Sequence, residues 1–173
     1  MAVYMFEGIR PSISPAAFVH PMAVVIGHVE IGDGCYVGPG ASLRGDFGAI
    51  IMEPESNLQD NCVVHGTEGS LTRIRHRGHI GHGAVVHGCD IGEDVLVGMN
   101  AVVMDGSVIG ASSIIGACAM VKAGFCCEAA SLLLGSPAKV VRQLDERDIQ
   151  RKHQATQRYV ELARRCLDQL QEC

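Results

Sequence analysis

Eight histidines are spread along this 173-residue chain, at positions 20, 28, 65, 76, 79, 82, 87 and 153. Three of them, His65, His82 and His87, sit in short apolar contexts, VVHG and IGHGAVVHG, away from the chain ends. Three neutral imidazoles with a fourth position left open form the ligand pattern of a catalytic zinc ion. Such an ion makes a hydroxide-like nucleophile available at neutral pH. The alternative is that each histidine is a surface or interface donor with no metal. Cys62 and Cys89 lie beside two of these histidines and compete as ligands, although both positions also suit small buried fillers.

The elements that must position these residues show themselves as a repeat of six. Aliphatic residues recur at Val19, Val25, Ile31, Val37 and Leu43, and again at Val85, Ile91, Val97, Val103, Ile109, Ile115 and Val121. Four residues after all but Leu43 and Val121 comes a small residue or Val, as at Ala23, Cys35, Ala41, Cys89, Ala101, Ser107 and Ala119. A period of six is neither the 3.6 of a helix nor the 2 of a strand. It fits a triangular prism in which each hexapeptide gives one inward aliphatic and one corner, and three hexapeptides close a coil of a parallel β-helix. Only 4% of residues are aromatic and none is Trp, while Gly numbers 21, as a narrow interior with many corners requires.

Boundaries follow from the same frame. Residues 1–18 read as a strand and a Pro-containing lead-in, 19–124 as the β-helix and 125–144 as a turn and linker. Residues 145–173 hold one helix, over about 145–171, with Asp145 as N-cap and an imperfect apolar stripe through Ile149, Tyr159, Val160, Leu162, Ala163, Cys166, Leu167 and Leu170. The frame lapses from Phe47 to Ser56, and the polar stretch 66–78 reads as a loop thrown out from the prism.

The coil length also places the histidines. The interval from His65 to His87 is one coil plus a short insertion, so these two stack on one face. His82 lies around a corner from them. One chain does not easily bring all three to one metal, but two chains of a trimer can. The charge of −5 argues against nucleic acid or an anionic membrane as the main partner. No apolar run reaches the ~20 residues of a transmembrane helix. The scattered cysteines and the lack of a secretory signal lead us to expect a reducing cytoplasm rather than a disulfide framework.

The segments LRGD (43–46), NLQDNCVVHG (57–66), GHGAVVHGC (81–89) and LGSPAK (134–139), in this order and spacing, resemble the gamma-class carbonic anhydrase group of hexapeptide-repeat proteins. The resemblance spans about residues 10–140. It implies an all-β fold, a left-handed parallel β-helix with a C-terminal α-helix. Left-handedness would be an exception to the usual right-handed crossover. The tail, ERDIQRKHQATQRYVELARRC (146–166), is similar to the phenylacetic-acid-degradation (PaaY) branch and its carnitine-pathway relatives.

The resemblance further implies a homotrimer with Zn2+, or Fe2+ or Co2+, held between subunits by His65, His82 and His87. Arg44, Asp46 and Asp60 become residues of the subunit boundary and of the layer behind the ligands, joined by charge-assisted bonds; the alternative is an exposed ion pair of little energetic value. Gln59 falls where an amide orients metal-bound water, and Asn57 where it braces Gln59 or simply makes a turn. Tyr159 matches a position over the metal, or packs on the helix stripe. Glu68 lies where the group's prototype has an acidic proton shuttle, a role its basic surroundings (Arg73, Arg75, Arg77) disfavour. Phe47 stands where the prototype is acidic, which favours an organic substrate over fast CO2 hydration.

The function implied is a metal-dependent hydrolase or lyase acting on a carbonyl, most readily a CoA thioester in phenylacetate-type degradation. The alternatives are a carbonic anhydrase acting on CO2 and bicarbonate, a CoA-dependent acyl- or acetyltransferase, and an assembly protein without turnover.

Overall fold

The computed structural model describes residues 2–173 and is a parallel β-helix followed by one α-helix. Its strands build three faces. The first runs through Ala2–Tyr4, the leading halves of Val24–Ile31 and Ser42–Met52, then Val63–His65, Val85–His87, Val102–Val103 and Met120–Val121. The second runs through Ser12–Ile13, the trailing halves of the same two long strands, then Leu71–Ile74, Asp90–Ile91, Val108–Ile109 and Cys126–Cys127. The third stacks Phe18–Val19, Tyr36–Val37, Asn57–Leu58, His79–Ile80, Leu96–Val97, Ile114–Ile115 and Ser131–Gly135, and ends with the antiparallel strand Ala138–Gln143.

The interior is the predicted one. Val25, Val37, Leu43, Leu58, Val64, Ile80, Val97, Val103, Ile115 and Val121 are fully buried. The small partners Ala23, Cys35, Ala41, Ala101, Ser107 and Ser113 are also at 0% exposure, so the corners are as closed as the faces. One frame assignment shifts. Val86, not Val85, points inward, because the coil from His79 to Leu96 falls one short of three full hexapeptides.

Several boundaries move outward. The lead-in that ends at Phe18 is a complete coil, since Ala2 pairs with Val24, Ser12 with Glu30 and Phe18 with Tyr36. The lapse after Phe47 is a bulge in a continuous strand, where Val25 pairs with Leu43 but Val29 with Ile50. The stretch 66–78 is not one loop: Leu71–Ile74 is a rung, with Ile74 and Thr72 at 0% exposure, and only the turn around Glu68 and Gly69 projects. Residues 125–144 are not a linker either. Cys126–Cys127 and Ser131–Gly135 form the last rungs, and the antiparallel strand closes the third face. The hexapeptide pattern lapses here because Phe125 takes a small-residue position and Cys127 the inward aliphatic one, which leaves the in-frame Leu133 isolated.

The helix spans Glu146–Gln169, with Asp145 as N-cap in a capping box with Asp148. It buries Lys152, Thr156, Val160 and Ala163, whereas Leu167 and Leu170 of the expected stripe are about half exposed. It packs on the third face, where Phe18 stacks on Tyr36 (5.5 Å between rings) and Tyr36 meets Tyr159 edge-on (5.3 Å). Lys152 Nζ reaches the Asp94 carboxylate at 2.5 Å and its backbone oxygen, pinning the helix start to a corner. All eight cysteines are free thiols, and among the described residues no helix is long and apolar enough to cross a membrane.

Candidate functional site

His65 and His87 occupy equivalent positions on adjacent coils of the first face and pair in register. The local sequence holds them there. Thr72, fully buried, donates to the His65 carbonyl (2.7 Å) and accepts from the Gly88 amide (3.0 Å). Gly88 takes φ +54°, and a Cβ at this point would run into the Asp105 carboxylate. Glycine therefore lets Asp105 approach the His87 ring.

Each imidazole has a carboxylate on one side. Asp46 Oδ1 is 2.9 Å from His65 Nε2, and Asp105 Oδ1 is 2.8 Å from His87 Nδ1. A carboxylate only accepts, so the ring protons sit on those nitrogens. Arg44 Nη2, 3.2 Å from His65 Nε2, is then a second donor there and makes no bond; its charge serves Asp46, 3.6 Å away. Burial would raise the Asp46 pKa, but the bond to His65 and the Arg44 guanidinium outweigh it and hold the carboxyl below its usual range.

That leaves His65 Nδ1 and His87 Nε2 as the lone-pair nitrogens, and they face each other at 3.2 Å. Two facing lone pairs repel unless a proton or a cation lies between them. A carboxylate on the far nitrogen of each ring is the arrangement that orients metal-bound histidines. The donor set therefore fits a divalent cation, with two ligands from this face. His82 has the same dressing, its Nδ1 3.1 Å from Asp60 Oδ2, which leaves Nε2 free.

His82 is not beside the pair. It lies at the corner between His79–Ile80 on the third face and Val85–His87 on the first. Among the described residues, no three His, Cys, Asp or Glu side chains of one chain converge as a ligand set. Cys62 and Cys89 are inward fillers rather than ligands. They are 0% and 2% exposed, with burial as the main cause pushing their thiols up to about 11 and about 12.

Gln59 and Asn57 are also away from His65. They lie on the third face, nearly fully buried, with Gln59 Nε2 donating to Asn57 Oδ1 at 3.0 Å. Their third partner escaped the sequence reading. His79 Nε2 is 2.8 Å from Gln59 Nε2, and the His79 ring meets Tyr159 edge-on at 5.3 Å. The available signal was spacing: Asn57 and His79 are separated by the same interval as His65 and His87. Tyr159 lies with Gln59, His79 and His82 along one cavity, not over the His65–His87 pair of its own chain. Glu68 is exposed in its turn and makes no ion pair among the described residues. Phe47, 63% exposed, stands 5.6 Å from the His65 ring as an apolar wall.

Residues 10–45 and 88–123 match the bacterial transferase hexapeptide (six repeats) family. The carnitine operon protein CaiE of Salmonella agona (strain SL483) is 53% identical over 172 residues, covering 99% of this chain and 87% of the relative. The CaiE of Proteus sp. (strain LE138) is 52% identical over the same spans. The chain belongs to the hexapeptide-repeat transferase family. Its prism has the left-handed β-helix fold of that family. Two solved family structures superpose closely. A hexapeptide transferase family protein from Anaplasma phagocytophilum is 32% identical with a TM-score of 0.91, covering 94% of this chain and 96% of that one. A Bacillus cereus protein named provisionally as an acetyltransferase is 27% identical with a TM-score of 0.95, covering 98% of both chains.

Proposed function

We propose that the chain is a metal-dependent enzyme of acyl-group chemistry, hydrolysing a CoA thioester at a site shared between subunits of a homotrimer. The observation that carries this reading is the in-register pair His65–His87, with both outer nitrogens on carboxylates and both inner nitrogens facing each other at 3.2 Å. His65, His87 and His82 of the partner subunit would hold the cation. When bound, it would supply Lewis-acid polarisation of a carbonyl and activate water at neutral pH.

The chain's own groups do the rest. Asp46, Asp105 and Asp60 keep the ring protons on the far nitrogens, so each imidazole presents a lone pair. Against the effect of burial, the bond from His65 and then the Arg44 guanidinium favour the ionised form of Asp46. Phe47 gives the site an apolar wall, which suits an organic acyl group more than rapid proton export. Tyr159 keeps its proton, as burial raises its pKa, and can donate to an acyl oxygen. Relatives named for a carnitine operon, and structural neighbours named as transferases, support an acyl group as the unit handled. The match of the tail to the phenylacetic-acid-degradation branch belongs to the same reading, as does a cytoplasmic location.

A second reading has its own observation. His87 with Asp105 is also a carboxylate-backed base, the device an acetyltransferase needs to deprotonate an amine or alcohol. One experiment separates the two. Metal content, thioester hydrolysis and acetyl transfer are measured on the purified protein and on His82→Ala. Hydrolysis that falls with metal content in His82→Ala supports the first reading; acetyl transfer by metal-free protein, unaffected by His82→Ala, replaces it with the second.

A further inference from the structure

A cleft of about 310 Å3 lies at the corner between the first and second faces, separate from the cavity that Tyr159 borders. It spans four coils, from the turn at Phe6 and Ile9, past His28 and residues 45–49, to Gly69 and Ser70. Asp46 lines it, but neither His65 nor His87 does. Asp46 thus stands between the cleft and the His65 ring, to which its Oδ1 is bonded at 2.9 Å.

The apolar walls are aromatic at two points. Phe6 is 40% exposed and Phe47 63%, and Ile9 stands with them. A two-residue turn holds the Phe6 wall. Phe6 and Ile9 exchange backbone bonds at 3.0 and 2.9 Å, with Glu7 and Gly8 between them at φ +48° and +79°. The other end is tied down where the Gly69 amide donates to the Phe47 carbonyl at 3.2 Å.

The polar lining discriminates by charge. It contains two carboxylates, Glu7 and Asp46, and no Lys or Arg. Burial opposes ionisation of Asp46, yet the bond from His65 and the Arg44 guanidinium hold its carboxyl below the usual range. Arg44, 3.6 Å from Asp46, balances part of that charge, whereas Glu7 is exposed and makes no ion pair among the described residues. The Ser70 hydroxyl already donates to the Thr67 carbonyl at 2.7 Å. His28 is the one side chain left that can donate, and Glu30, 3.9 Å away, offsets its charge when protonated. An anion is therefore poorly served here, and a cation well served. The walls narrow the choice of cation. A primary ammonium is compact and strongly hydrated, so apolar walls would strip its water. A quaternary ammonium brings its own apolar shell and is attracted to aromatic faces.

We infer that this cleft binds a trimethylammonium group, whose methyls meet Phe6, Ile9 and Phe47 and whose charge faces Glu7 and Asp46. The inference deepens the reading above by naming a group that the substrate carries beyond its carbonyl. It rests on that reading for the reaction, and the binding is tested apart from it.

Choline and its neutral carbon isostere 3,3-dimethyl-1-butanol are titrated into the full-length protein in the presence of a chelator and followed by NMR. Choline should bind at least about fivefold tighter, with shifts centred on Phe6, Glu7 and Phe47. Phe6→Leu keeps an apolar wall and removes the ring, and Glu7→Gln removes the charge at nearly constant size. Each should cut the preference severalfold and leave binding of the alcohol unchanged. Glu7 sits exposed in its turn, so Glu7→Gln decides the matter if Phe6→Leu does not fold. Equal binding of the two probes, a preference that survives Glu7→Gln, or choline shifts centred on Gln59 and Tyr159 would each overturn the site. Absence of thioester hydrolysis does not alter these outcomes, and loss of choline binding leaves the metal reading standing.

Discussion

His65 and His87 sit directly above one another on adjacent coils, and the nitrogens that lack a carboxylate are the two that meet, 3.2 Å apart. The pairing depends on coil length. The path from His65 to His87 is longer than three hexapeptides, whereas the next pair on the second face, Arg73 with Asp90, is joined by one residue fewer than three. The short insertion that precedes Thr72 thus sets two imidazoles in register without disturbing the rungs above.

Asp105 acts on the cation through His87, so its removal should weaken the site without abolishing it. Asp105→Asn should lower metal affinity about 10–100-fold, the usual cost of losing such an orienting carboxylate. His87→Ala should remove stoichiometric metal altogether. Metal content after dialysis against a competing chelator distinguishes the two variants, and equal retention by both would count against His87 as a ligand.

His79 makes stability depend on pH. Burial first, then the charges of Lys152 and His82, push its pKa down from 6.5 to about 4. The unfolded chain takes up a proton below about 6.5 and the folded chain does not until about 4, so the proton favours unfolding in that window. Stability from this group is complete above pH ~6.5 and falls as pH drops toward 4, by an amount on the order of 3 kcal/mol at most. Urea midpoints between pH 7 and pH 4 should fall less in His79→Gln than in the parent. Parallel pH curves would show that His79 is not the group responsible.

Lys152 is the costliest single group in the helix dock. Its side chain is 1% exposed, its pKa is lowered by burial despite the opposing charge of Asp94, and Asp94 Oδ1 already lacks a partner among the described residues. Removing the cation alone leaves a buried carboxylate, a loss of about 3–5 kcal/mol for such a pair. Lys152→Met should therefore destabilise strongly, and the double variant Lys152→Met with Asp94→Asn should recover a good part of it. Asn also tolerates the left-handed backbone at this corner, φ +52°. Denaturant unfolding of the single and double variants measures the coupling.

The rungs were legible because an inward aliphatic every six residues is a direct imprint of the prism, and Leu58, Val97 and Ile115 show it. Where inward residues were atypical, as at Phe125 and Cys127, the period carried no signal and the last coil looked like linker. The stretch around Leu71–Ile74 was hidden for another reason. Its outward residues are arginines that pair with Glu53 and Asp90, so a buried strand read as a polar loop. The histidine pair was visible from spacing alone. The Gln59–His79–Thr156 chain was not, because one of its members comes from a helix far along the sequence, and no local pattern encodes where that helix docks.

Thr72 tests whether the backbone under the histidines matters to the site. Its hydroxyl bridges the His65 carbonyl and the Gly88 amide at 2.7 and 3.0 Å, inside a fully buried position. Thr72→Val keeps the shape and removes the bridge. Gly88 still donates directly to the His65 carbonyl at 3.0 Å, so the loss is partial, about 1–2 kcal/mol. Because the bridge ties His65 to Gly88, the residue that follows His87, the same variant should weaken metal binding severalfold, and Thr72→Ser, which keeps the hydroxyl, should restore it. Urea unfolding and metal titration of both variants decide the matter: a stability loss with unchanged metal affinity would confine Thr72 to packing, whereas recovery of both by Ser ties the register of the histidines to this one hydroxyl.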